Sequence, residues 1–146
     1  MKLFPALVIG LFIITSAVAE TDFDKAIQKA KQEHKLILLR FSGSDWCVPC
    51  IRMNKEVFEN NIFKTYADSN LVLVIADFPR LKKNRLPDGQ QKMNDKLAEK
   101  YNSPGNFPFT VLADENGNVL KTWEGYTNMT PDQFVNQLKN FTDARK

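Results

Sequence analysis

Phe41-Ser42-Gly43-Ser44-Asp45-Trp46-Cys47-Val48-Pro49-Cys50 contains both cysteines of the chain. Before it, Leu36-Ile37-Leu38-Leu39-Arg40 is apolar but for one residue and predicts a buried strand. After it, Ile51, Asn54, Val57 and Phe58 recur with Cys50 at helical spacing, predicting a helix from the cysteines to about Phe58. The cysteines thus fall where a strand ends and a helix begins. A thiolate there meets unpaired N–H groups and the positive end of the helix dipole, and both lower its pKa. Two spacer residues are just under one helical turn, so the sulfurs can close a small disulfide. Cys47 is expected to stay accessible and Cys50 to lie deeper, an asymmetry that suits a nucleophile followed by a resolving thiol.

Other uses of the pair fit less well. An inert disulfide closing so short a loop stabilises little. A metal site lacks donors, because no further cysteine exists and the one histidine is His34. Two buried free thiols do not suit a pair that begins beside a loop.

The rest of the chain sets the context. Its 146 residues are 43% hydrophobic and 25% charged, the balance of one soluble domain, which argues against disorder and a coiled coil. The formal charge of +3 is well mixed, so no nucleic-acid partner is expected. Met1-Lys2, the apolar run from Leu3 to Ile14, and small residues Ala17 and Ala19 before Glu20 have the three parts of a secretory signal. The apolar run is too short to span a membrane comfortably, and Pro5 and Gly10 interrupt it. The expected organisation is a signal peptide over 1–19 and one exported domain over 20–146, bound for an oxidising compartment.

Within that domain, Asp22 or Asp24 can cap a first helix carrying Phe23, Ala26, Ile27, Ala30 and His34. Ile62, Phe63 and Tyr66 predict a short helix, and Leu71 to Asp77 a second buried strand. Phe78 to Pro87 is irregular and basic, and reads as a solvated loop. Met93, Leu97 and Tyr101 mark another helix. Phe109 to Ala113 and Val119 to Glu124 read as a hairpin around Asn116-Gly117. Thr130, Pro131 and Gln133 open a last helix with a capping box, and Phe134, Leu138 and Phe141 form its stripe. The order αβααβαββα is a mixed α/β fold. His34 reads as a partly buried histidine or a helix C-terminal cation rather than a catalyst.

Trp46, Cys47, Pro49 and Cys50 resemble the Trp-Cys-x-x-Cys active site of the thioredoxin family. Asn106-Phe107-Pro108-Phe109-Thr110-Val111 is similar to that family's second hallmark, a cis-proline loop that opens a strand facing the cysteines. The segment from Gly43 to Phe58 most resembles exported Dsb-type thiol reductases and the C-terminal domain of the related membrane electron carrier. The resemblance implies a thioredoxin-like fold, a central mixed sheet flanked by helices, over about 24–141.

It also implies roles. Cys47 would attack a disulfide in a partner and Cys50 would resolve the mixed disulfide, leaving Cys47–Cys50 oxidised. Trp46 would shape the docking surface, Pro49 would help hold the pair, and Pro108 would be cis, exposing the Phe107 backbone to substrate. No metal or cofactor beyond the dithiol is implied. The partners would be disulfide-containing exported proteins and a membrane thiol electron donor, the mature chain not itself spanning the membrane. The Val48-Pro49 spacer lacks the histidine of the strong oxidants of this fold, so a periplasmic reductase is favoured over an oxidase or isomerase. A protein- or copper-binding chaperone module is the alternative of another class. Many thioredoxins place a buried aspartate six residues before the first cysteine; here that position is Phe41, leaving deprotonation of Cys50 to water or another group.

Overall fold

The computed structural model describes residues 22–145. The expected signal peptide lies outside them. Four strands form one sheet: β1 (Leu36–Ser42), β2 (Leu71–Asp77), β3 (Phe109–Ala113) and β4 (Val119–Glu124), in the order β2-β1-β3-β4. β2 runs parallel to β1, while β3 is antiparallel to both β1 and β4. The helices are α1 (Asp22–Glu33), α2 (Val48–Met53), α3 (Asn61–Asn70), α4 (Asp88–Tyr101) and α5 (Pro131–Thr142). This is the expected thioredoxin-like architecture.

Strand alternation sorts the core into two layers. Leu36, Leu38, Leu112 and Trp123 face α2, α3 and α5. Ile37, Leu39, Phe41 and Val111 face α1 and α4. In the first layer Phe58, Phe63, Trp123 and Phe134 pack edge-on or tilted, with ring centroids 5.0–6.1 Å apart. Burying each such ring contributes ~1.5–3 kcal/mol.

Local chemistry fixes the element ends. Thr130 Oγ1 accepts from Gln133 N, and Gln133 Oε1 from Thr130 N, closing the predicted capping box of α5. Both Asp114 carboxylate oxygens accept bonds from the hairpin loop, and Gly117 takes the positive φ of 82° that the turn requires. Helix α1 already includes Asp22, so Asp22 and Asp24 sit in its first turn against the helix dipole rather than at its cap. His34 is exposed, with φ 54°, and Lys35 N donates to Ala30 O at 2.9 Å. These are the left-handed residue and the closing bond of a Schellman cap, so His34 ends the helix and does not lie on its apolar face.

The helix after the cysteines also departs from expectation. It is α-helical only to Met53, and Asn54–Phe58 forms a π-helical turn in which Glu59 N donates to Asn54 O at 2.8 Å. The wider turn shifts the phase of the face. Met53 is buried, whereas Ile51, expected inside, is 39% exposed.

Candidate active site

β1 ends at Ser42 and the turn that follows is pinned twice. Ser44 N donates to Asp77 Oδ1 at 2.9 Å, and Ser44 Oγ donates to the same carboxylate. Gly43 lies under the Trp46 indole, where a Cβ would overlap the ring, so only glycine lets the turn pass. Cys47 then N-caps α2: its Sγ accepts from Cys50 N at 3.3 Å, and Ile51 N donates to Cys47 O at 3.0 Å. Pro49 lies in the first turn, where no N–H is missed.

Cys47 and Cys50 are joined in a disulfide, with Cα atoms 5.2 Å apart. Both residues are buried, at 4% and 2% exposure. The expected contrast between an accessible and a deep cysteine is therefore small in this oxidised state, in which each sulfur covers the other. The neighbours carry the exposure instead: Val48 is 73% exposed and Pro49 is exposed.

In front of the disulfide, Trp46 is held at three points. Its Nε1 donates to Phe78 O at 2.7 Å, its ring meets Phe107 edge-on at 5.5 Å, and the Arg80 guanidinium lies 3.6 Å above it. Phe78 meets Phe107 edge-on at 5.5 Å. The Phe107–Pro108 peptide bond is cis. Asn102 braces this loop through both ends of its amide, accepting from Asn106 N and donating to Asn106 O. Trp46 and Phe107 thus join the cysteine motif and the proline loop in one surface, around a groove of about 490 Å³ shared with Arg80.

Asp45 organises the basic loop beside that groove. Its carboxylate accepts from Arg80 N at 2.9 Å, Leu81 N at 3.0 Å and Asn84 Nδ2 at 2.9 Å. The bond from Arg80 N leads the causes that hold its pKa below the usual aspartate value. The Phe78 to Pro87 segment is therefore moored to the site, while its basic side chains Arg80, Lys82, Lys83 and Arg85 stay exposed, as expected of a solvated loop. Asp45 is committed to this mooring.

Behind the disulfide is a cavity of about 360 Å³, lined by Cys50, Arg40, Ser42, Asn54, Glu59 and Asp77 among others. Phe41 faces the opposite layer, with Phe109 and α1. A carboxylate at Phe41 would therefore not serve Cys50, because strand alternation gives the cavity Arg40 and Ser42 instead. Arg40 is 8% exposed, its Nη2 donates to Asn54 Oδ1 at 2.9 Å, and its guanidinium sits 3.5 Å above the Phe58 ring. Asn54 Nδ2 donates on to Glu59 Oε1. Burial pushes the Arg40 guanidinium down to about 10, with Glu59 pulling it back, so it stays charged at neutral pH. Sequence reasoning missed Arg40. Its signal was the single polar break in an apolar strand.

Among the described residues, no group of three or more His, Cys, Asp or Glu is placed to hold a metal ion. No helix among them is long and apolar enough to cross a membrane.

The thioredoxin-like domain family matches residues 23–142, and the chain belongs to it. It is 39% identical over 98 residues to the disulfide bond reductase DsbH of Chlamydia pneumoniae, covering 67% of this chain and 57% of the relative. The solved structure of a DsbH oxidoreductase superposes with a TM-score of 0.75 at 32% identity, covering 84% of this chain and 83% of that one. The C-terminal domain of Neisseria meningitidis DsbD, in its oxidised form, shares the fold at a TM-score of 0.55 and 16% identity, covering 80% of this chain and 89% of that domain.

Proposed function

We propose that this member of the thioredoxin-like family is a Dsb-type thiol–disulfide oxidoreductase that reduces disulfides in exported proteins of the periplasm. Residues 1–19 serve as its signal peptide and 20–146 as the working domain. The observation that carries the reading is the meeting of two motifs: the Cys47–Cys50 disulfide stands beside Trp46, and Trp46 packs against Phe107 of the cis-proline loop. The similarity to DsbH supports the reducing direction.

In the reduced protein the Cys47 thiolate, at the start of α2, attacks a substrate disulfide. One substrate sulfur leaves as a thiolate and a mixed disulfide remains on Cys47. The thiolate of Cys50 then attacks Cys47 Sγ, the second substrate sulfur leaves, and Cys47–Cys50 closes. Two electrons have passed to the substrate. Trp46 and Phe107 flank the extended substrate segment, and Pro49 and Pro108 hold the two motifs that meet it. A membrane thiol donor restores the dithiol.

Reduction of insulin disulfides should fall to background in Cys47→Ser, and Cys50→Ser should accumulate a mixed disulfide on Cys47. Retention of activity in Cys47→Ser would overturn the mechanism, and a wild-type protein with no insulin reduction to lose would favour a protein- or copper-binding module. Equilibration with glutathione tests direction: a potential near ~−120 mV, in the range of the oxidant DsbA, would replace the reductase reading with an oxidase.

A further inference from the structure

We propose that Arg40 is the electrostatic partner of the Cys50 thiolate, a buried cation that stabilises the reduced dithiol from behind. The inference rests on reading Cys47–Cys50 as a redox pair. Arg40 and Cys50 line the same cavity. The guanidinium is fixed there by Asn54, one helical turn beyond Cys50, and by the face of Phe58. Its hydrogen-bond partner is a neutral amide rather than a carboxylate, so its charge is not cancelled at the point of contact.

Other charged groups line the cavity: Asp77 from β2, and Lys55 and Glu59 from the π turn and its end. Lys55 and Glu59 are exposed, so water screens both, and Glu59 offsets only part of the Arg40 charge. Asp77 is half-buried and its carboxylate is engaged by Ser44. Arg40 alone among these is removed from solvent, where an ionic interaction is strongest.

In the resolving step, Cys50 loses its proton to solvent through the cavity. Its thiolate attacks Cys47 Sγ, the bond from Cys47 to the substrate breaks, and the substrate sulfur leaves with the electron pair and takes up a proton. Arg40 exchanges no atom. It lowers the cost of the negative charge on Cys50, where a buried carboxylate would raise that cost while accepting the proton. The same interaction favours the dithiol over the disulfide, making the protein a milder reductant than its fold without Arg40.

The test titrates Cys50 by thiolate absorbance in the Cys47→Ser background, and equilibrates the intact pair with glutathione. Arg40→Met should raise the Cys50 pKa by about one unit, and Arg40→Lys should restore most of it. In the intact pair, equilibrated at a pH above the Cys50 pKa of both proteins, Arg40→Met should move the equilibrium about tenfold toward the disulfide, equivalent to ~30 mV, and by less at lower pH, where the thiol form dominates. An unchanged Cys50 pKa and an unchanged equilibrium overturn the inference. Should Arg40→Met fail to fold, Asn54→Leu, which frees the guanidinium from its anchor, should give a smaller shift of the same sign, and no shift overturns the inference. A wild-type pair that does not exchange with glutathione would sink the functional reading itself, whereas an exchanging pair insensitive to residue 40 sinks only the role of Arg40.

Discussion

On each side of the Cys47–Cys50 disulfide a guanidinium lies over an aromatic ring: Arg80 over Trp46 in front, Arg40 over Phe58 behind. The separations are nearly equal, 3.6 and 3.5 Å, but the settings are not. Arg80 is exposed on a loop moored by Asp45, while Arg40 is buried in the strand layer. Such pairings contribute ~0.5–1 kcal/mol at exposed sites and about 2 kcal/mol when desolvated. Burial therefore divides the labour. The front offers aromatic edges and a screened charge, which suits choosing a partner. The back holds a buried charge lining the same cavity as Cys50, which suits setting thiol chemistry.

The most damaging way to break this contrast is Phe58→Ala. Phe58 is 6% exposed and edges against Phe63 and Phe134, so the substitution should cost ~3–5 kcal/mol in urea unfolding. Loss of less than ~1 kcal/mol would mean the ring is not part of the packed layer. Next, the two arginines should separate: at a pH where Cys50 is ionised, Arg40→Met should shift the glutathione equilibrium about tenfold, and Arg80→Met should leave it in place. Equal shifts would erase the division.

A third change tests the front alone. Gly43→Ala should push the indole off its seat and lower kcat/KM for a protein disulfide severalfold, with the potential unchanged. The smallest effect is in pH. The Asp45 pKa is depressed in the folded state, so its contribution is present above the ordinary aspartate value of 3.8 and is lost as pH falls through the lower folded value. Hydrogen exchange at Arg80 and Leu81 should accelerate in that acid window, and already at neutral pH in Asp45→Asn.

The strand positions, the capping box of α5 and the Cys47–Cys50 and Phe107–Pro108 motifs were legible because each rests on local chemistry, although β2, expected to be buried, is an edge strand with Leu73 and Ile75 exposed. The two sides of β1 were not. Leu36 to Phe41 is an almost continuous apolar run, and such a run carries no parity, so nothing in it tells which face Phe41 takes. Only pairing with β2 and β3 sends Arg40 toward Cys50 and Phe41 away. The π turn escaped for a related reason. Within it Asn54 bridges Arg40 and Glu59, and Arg40 comes from a strand that local periodicity does not see. His34 has helical spacing to Ala30, yet spacing alone cannot distinguish the last turn from the cap that ends it.

With the two cysteines of this sequence joined in one disulfide, the proposed reductase would hold a single pair of electrons in this domain. On the proposed reading, recharging rather than attack by Cys47 limits throughput whenever the oxidised form accumulates. In a reconstituted chain, doubling the donor should raise flux more than doubling the substrate once the oxidised form accumulates.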